Sequence, residues 1–172
     1  MAADRSDAED LLTSWRGTPA FARDRYLTVT AANPLARALS PAFAPGVNLL
    51  RHVFLSVEPG WEAEHDALLP VTTILAALLR DSIEEYEEDR AFVDLVGELA
   101  ARSPRFGVLW GRPDLEVRHL ATVSFPATPV GPLEMTYQEL RMPLGSGQVI
   151  VVWRPADPRS AAAYDRLLRQ VG

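Results

Sequence analysis

The stretch Val117-Arg118-His119-Leu120-Ala121-Thr122-Val123-Ser124-Phe125 alternates side-chain character, with Val117, His119, Ala121, Val123 and Phe125 on one face. A period of two marks a strand half buried against a core. Leu133, Met135 and Tyr137 repeat the pattern, and Gln148 to Arg154 is a dense apolar run of strand type. The connections Pro129-Val130-Gly131-Pro132 and Gly145-Ser146-Gly147 carry turn residues, so the three strands are expected as antiparallel neighbours.

Upstream the period is helical. Asn48 can cap a helix whose apolar positions are Leu49, Leu50, Val53 and Phe54, ended by Glu58-Pro59-Gly60. Val71, Ile74, Leu75, Leu78, Leu79, Ser82 and Tyr86 form an apolar stripe, and Pro70 is expected at or near that helix's start. Phe92, Val93, Val96, Leu99 and Ala100 make another helix, ended by Ser103-Pro104, with a last turn on Phe106, Leu109 and Trp110.

Further upstream, Phe21 to Arg23 and Tyr26 to Ala32 read as an opening hairpin split at Asp24-Arg25. Asn33 before Pro34 is a natural cap with proline at the first helical position. At the other end, Tyr164, Leu167, Leu168 and Val171 mark an amphipathic helix from about Pro158. Strands, a helical middle and three more strands describe an α+β fold: a single antiparallel sheet with a helical layer on one face, which can leave a cavity between its layers. At 172 residues the chain is one domain. Residues 1–14 read as a tail or linker, 15–156 as the domain and 157–172 as a C-terminal helix.

Composition excludes much chemistry. There is no cysteine, so disulfides, thiolate metal sites and cysteine nucleophiles are absent, and there is no lysine, so Schiff-base chemistry is absent too. Six of the 23 acids lie between Asp81 and Asp89, which leaves 17 against 17 arginines elsewhere. That run reads as a solvated helix end, and the arginines are too dispersed for this chain alone to grip nucleic acid. The longest apolar stretch, Leu68 to Leu79, is broken by Pro70, so no membrane span is expected. His52, His65 and His119 are too far apart for a helical ligand pair, and no catalytic motif with a nucleophile and base occurs. No catalytic residue, metal or cofactor is therefore expected.

Four segments resemble the MmyB-like ligand-binding domains, PAS-like modules attached to Xre-type helix-turn-helix regulators of bacteria. They are Pro19-Ala20-Phe21 with Asp24, Leu27-Thr28-Val29, Asn33 and Ala36; Asn48-Leu49-Leu50-Arg51 with Phe54-Leu55; Leu95-Val96-Gly97-Glu98-Leu99 through Arg102-Ser103-Pro104-Arg105-Phe106 and Leu109-Trp110; and Gly131-Pro132-Leu133 with Tyr137 and Leu140. They run in order from about Leu11 to Trp153. Ala32 stands where the family commonly has tryptophan, and Phe125-Pro126 where it commonly has histidine-proline.

The resemblance implies a PAS-like sheet and a cytoplasmic regulatory domain that holds an apolar small molecule, long-chain fatty acids being the family's natural candidates. DNA would be reached only through a helix-turn-helix domain not present in this chain. Burying about ten methylenes yields about 8 kcal/mol gross, against about 1.5–3 kcal/mol for one charge-assisted hydrogen bond. The apolar surface would set affinity and a polar anchor would set direction, while the helical layer would be the switch. The candidate ligand-binding residues are Asn33, Arg51, Phe54, Trp110, His119 and Tyr137. Arg51, with Asn33, is expected at the polar end of a cavity lined by Phe54, Trp110 and Tyr137; the alternative for Arg51 is a bridge to an acid. His119 is either a satisfied core histidine, a site near the strand's frayed start, or a polar group pointing into a cavity. The rival function is a hydrolase or isomerase of small apolar acids using Asp24, Glu134 or His119. Weak homodimerisation is expected through Tyr164 and Leu168 or Leu11 and Leu12, which can equally dock on their own sheet.

Overall fold

The computed structural model describes residues 2–55, 62–85, 89–141 and 148–171. The chain divides into two compact units, Met1–Val47 with His119–Gly172, and Asn48–Arg118.

The first unit is built on a five-stranded antiparallel sheet. Its strands are β1 (Ala20–Arg23), β2 (Val29–Ala32), β3 (Leu120–Phe125), β4 (Leu133–Arg141) and β5 (Val149–Pro155), in spatial order β2-β1-β5-β4-β3. This is the PAS-like α+β architecture the sequence leads to. Register sets two faces: Phe21 opposite Val151 opposite Glu139, and Trp153 opposite Tyr137 opposite Ala121, point one way. Ala20, Ala22, Ile150 and Val152 point the other.

On that second face lies α1 (Ala2–Ser14), where Ala8 and Leu12 pack on Ala20, Ala22, Ala31 and Ile150. The segment read as a tail or linker is thus a helix docked on the sheet. Alanines at three of those sheet positions let the helix approach closely. α7 (Pro158–Val171) docks on the same unit: Tyr164 donates from its hydroxyl to Gly17 O at 3.1 Å, and Ser160 Oγ accepts from Glu134 N at 2.9 Å. Leu12 and Tyr164, both candidates for a contact between copies, are buried within their own unit.

The β1–β2 connection is a tight hairpin organised by Asp24, whose Oδ1 accepts from Tyr26 N at 2.9 Å and Thr28 N at 2.8 Å. Leu27 holds φ +62° there, a left-handed conformation costing a non-glycine residue about 1–2 kcal/mol. Its side chain is fully buried, which offsets the strain with about 1.5–3 kcal/mol. Gly46, at φ +91°, turns the chain back so that its amide donates to Val29 O at 2.8 Å. Pro34 opens α2 (Pro34–Leu39), capped by Asn33 as the sequence indicates.

The second unit is helical, with α3 (Leu49–Leu55), α4 (Glu62–Glu85), α5 (Arg90–Arg102) and α6 (Pro104–Trp110). Asn48 Oδ1 accepts from Arg51 N at 3.0 Å, Asp89 caps α5 and Ser103 caps α6. Pro70 lies inside α4 rather than at its start, eight residues beyond Glu62. It removes one i→i−4 bond, and the helix persists because the following turns are buried on every side, Ile74 to Leu79 without a break. Tyr86, the Glu58-Pro59-Gly60 stop and the Gly145-Ser146-Gly147 turn lie outside the described residues.

Candidate ligand-binding site

The first unit carries a buried aromatic cluster at the centre of its sheet. Trp153 projects from β5, the middle strand, and its ring centroid lies 5.4 Å from Tyr137 on β4 and 5.1 Å from Phe125 on β3. Phe43, from a short 3-10 turn over Pro41–Phe43, caps this group at 5.5 Å from Trp153 and stacks on Phe21 at 4.5 Å. Alternation delivers these rings to one side, because each strand places every second residue there.

One margin is charged. Glu139, two residues beyond Tyr137 on the same face, is almost wholly buried, its side chain 3% exposed. Its Oε1 accepts from Arg23 Nε at 2.9 Å and Nη2 at 2.5 Å, and its Oε2 lies 2.8 Å from His119 Nδ1. A carboxylate oxygen accepts, so Nδ1 is the protonated ring nitrogen. His119 stands just ahead of β3, half exposed, and Glu139 N donates to its carbonyl at 2.9 Å. His119 thus lies at the strand's start, on the side of the sheet that carries Tyr137, with its ring held by an acid.

Asn33 is a brace in the main chain. Oδ1 accepts from Ala20 N at 3.2 Å and Ala36 N at 3.0 Å, while Nδ2 donates to Trp15 O at 3.2 Å and Thr18 O at 2.7 Å. Every polar valence of that amide is occupied by backbone, which ties β1 to α2 and corrects the expectation that Asn33 faces a ligand.

Arg51 lies on the exposed side of α3, its side chain 49% exposed, and Nε donates to Glu98 Oε2 at 2.7 Å. Arg51 first, then Arg102, holds the Glu98 carboxyl below its ordinary range. This is the acid-bridging arrangement rather than a cavity anchor. Phe54 and Trp110 share one neighbour: Phe106 meets Phe54 edge-on at 5.2 Å and stacks on Trp110 at 5.4 Å. The Arg80 guanidinium lies 5.1 Å over Trp110 and donates to the carbonyls of Trp110 and Arg112, closing the end of α6.

The residues of the rival reading are dispersed in role. Asp24 Oδ1 is taken by two amides, and burial raises its carboxyl above the ordinary value against the pull of those bonds. Glu134 lies opposite Ser124, on the other side of the sheet from Tyr137 and His119. Among the described residues no three histidine, aspartate or glutamate side chains are placed to hold a metal ion, and no helix is long and apolar enough to cross a membrane.

Sequence reasoning missed Trp153, Glu139 and Arg23. The signal was present for Glu139, which continues the Leu133, Met135, Tyr137 alternation and so is an acid at an inward position.

No curated protein matches the chain. Among solved structures it is similar to the PAS domain from Bordetella pertussis BvgS, at 16% identity over 98% of this chain and 93% of that one, with a TM-score of 0.32. So slight a likeness carries no weight for the fold, which rests on the strand order and register. The family model of the MmyB-like transcription regulator ligand binding domain matches residues 5–167, nearly the whole chain. With the aromatic sheet face and the sheet order in place, that match makes the chain a member of the MmyB-like transcription regulator ligand binding domain family.

Proposed function

We propose that this domain senses an apolar small molecule of the long-chain fatty acid class for a bacterial, cytoplasmic transcription regulator, and that it is not an enzyme. The observation that carries the reading is the ring group of Phe43, Phe125, Tyr137 and Trp153 at the centre of the sheet, an apolar surface with a charged margin at Glu139. Tyr137 and His119 are the sequence candidates on that face, and Phe54 and Trp110 are the apolar candidates of the helical unit. DNA is contacted by a helix-turn-helix domain outside this chain, and ligand acts by binding two states of the protein with different affinity. Self-association of the isolated domain is weak and strengthens when the DNA-binding half is attached. Solvent extraction of the purified domain followed by mass spectrometry tests the reading. A stoichiometric acyl chain supports it; protein that carries none, and binds no added fatty acid after delipidation, contradicts it.

A further inference from the structure

Trp153 is only 6% exposed, and its Nε1 is buried without a hydrogen-bond partner among the described residues. An indole N–H is a donor only, with no second role to fall back on. Buried donors in native proteins are almost always met, and one left unmet loses its water for nothing. The neighbours of this indole are the rings of Phe43, Phe125 and Tyr137, with centroids at 5.5, 5.1 and 5.4 Å, so its N–H is a polar group within a buried aromatic cluster. Trp153 also sits on the central strand, where the backbone is paired on both sides. A buried, unmet donor among aromatic rings discriminates between apolar molecules that carry an acceptor and those that do not.

We propose that Trp153 Nε1 donates to an oxygen atom of the bound molecule, so that the domain selects apolar ligands bearing a carboxylate, ester or hydroxyl oxygen over plain hydrocarbons. This rests on the function proposed above and assigns its polar anchor to the sheet, in place of Arg51. The loss of one such bond is worth about tenfold in affinity.

The test uses the delipidated chain with decanoate, 1-decanol and decane as probes. The indole proton of Trp153, identified by its proximity to the Tyr137 and Phe125 ring protons, is expected to move downfield with decanoate and decanol and to stay in place with decane. Trp153→Phe, which keeps a ring and removes the donor, is expected to weaken decanoate and decanol about tenfold and leave decane unchanged. Saturable decanoate binding with an unmoved Trp153 proton overturns the assignment alone, as does a Trp153→Phe variant with the wild-type preference for decanoate over decane. Failure of all three probes to bind the wild-type chain overturns the proposed function as well. The proton measurement needs no variant and stands if Trp153→Phe does not fold.

Discussion

Arg23 and Glu139, 116 residues apart in the chain, form a buried ion pair in which Nε and Nη2 of the arginine both donate to Oε1 of the glutamate. The pair joins β1 to β4 across β5, on the face that carries Tyr137 and Trp153. Side-chain exposures of 8% and 3% leave little water to replace a lost partner. Arg23→Met is therefore expected to destabilise the domain, by at most about 3–5 kcal/mol, because it leaves the buried Glu139 carboxylate only His119 as a partner. Arg23→Met combined with Glu139→Met is expected to cost less than Arg23→Met alone, because both buried charges leave together. Urea unfolding of the wild type, Arg23→Met, Glu139→Met and the double variant checks this. A double variant as unstable as the sum of the singles would show that the two residues act independently.

Asn33→Ala removes a helix cap and leaves backbone groups of Ala20, Trp15, Thr18 and Ala36 without their amide partner. The cap accounts for about 1 kcal/mol and the unmet buried groups for about 1–3 kcal/mol, so the expected loss is about 2–4 kcal/mol. Ligand affinity, measured on the folded fraction by calorimetry, is expected to stay at the wild-type value. A tenfold loss of affinity at unchanged stability would return Asn33 to the ligand.

Arg51→Ala breaks an exposed pair with Glu98, which also meets Arg102. Pairs of this kind contribute little. Both the urea midpoint and decanoate affinity are expected to stay within error of wild type. A clear drop in decanoate affinity would place Arg51 in the binding machinery.

Two aspartates respond to pH with opposite sign. Burial raises the Asp24 carboxyl above 3.8, so the folded state holds that proton more tightly than the unfolded one, and the stability it contributes is present below about pH 4 and lost as pH rises through the folded value. The Asp157 carboxyl, capping α7 through the Ser160 amide at 2.8 Å, is lowered below 3.8; its contribution is present above that pH and lost as pH falls through the folded value. Asp24→Asn is expected to remove a decline of stability on the rising side, and Asp157→Asn a decline on the falling side. Thermal melts from pH 2.5 to about 7 separate them; parallel profiles for both variants and wild type would refute the assignment.

What could be read from the sequence was whatever local chemistry dictates. The Asn33-Pro34 cap, the Ser103-Pro104 break and the period of two depend on neighbours within a few residues; the structure has the cap and the break in place, and the strand, read from Val117, begins at Leu120 and runs to Phe125. The course of α4 through Pro70 was not legible, because burial of the later turns overrides the local preference of proline. The docking of α1 was hidden by its weak apolar pattern, since Ala8 counts for little until it meets Ala20 and Ala22. Glu139 and Trp153 each follow their strand's alternation, but their partners Arg23 and Phe43 are more than 100 residues away. Arg51 was overread: its apolar neighbours Leu50 and Phe54 point inward, whereas Arg51 lies on the flank of the stripe and reaches Glu98.

Contacts between the methylene protons of carbon-13-labelled decanoate and aromatic ring protons of the delipidated chain, recorded below the detergent-like concentration range of the acid, decide whether this domain holds an apolar molecule on its sheet. The account expects saturable binding with Overhauser contacts to Phe43, Phe125 and Tyr137, the three rings around Trp153. Saturable binding with contacts confined to residues outside that group, or no binding at all, would contradict it.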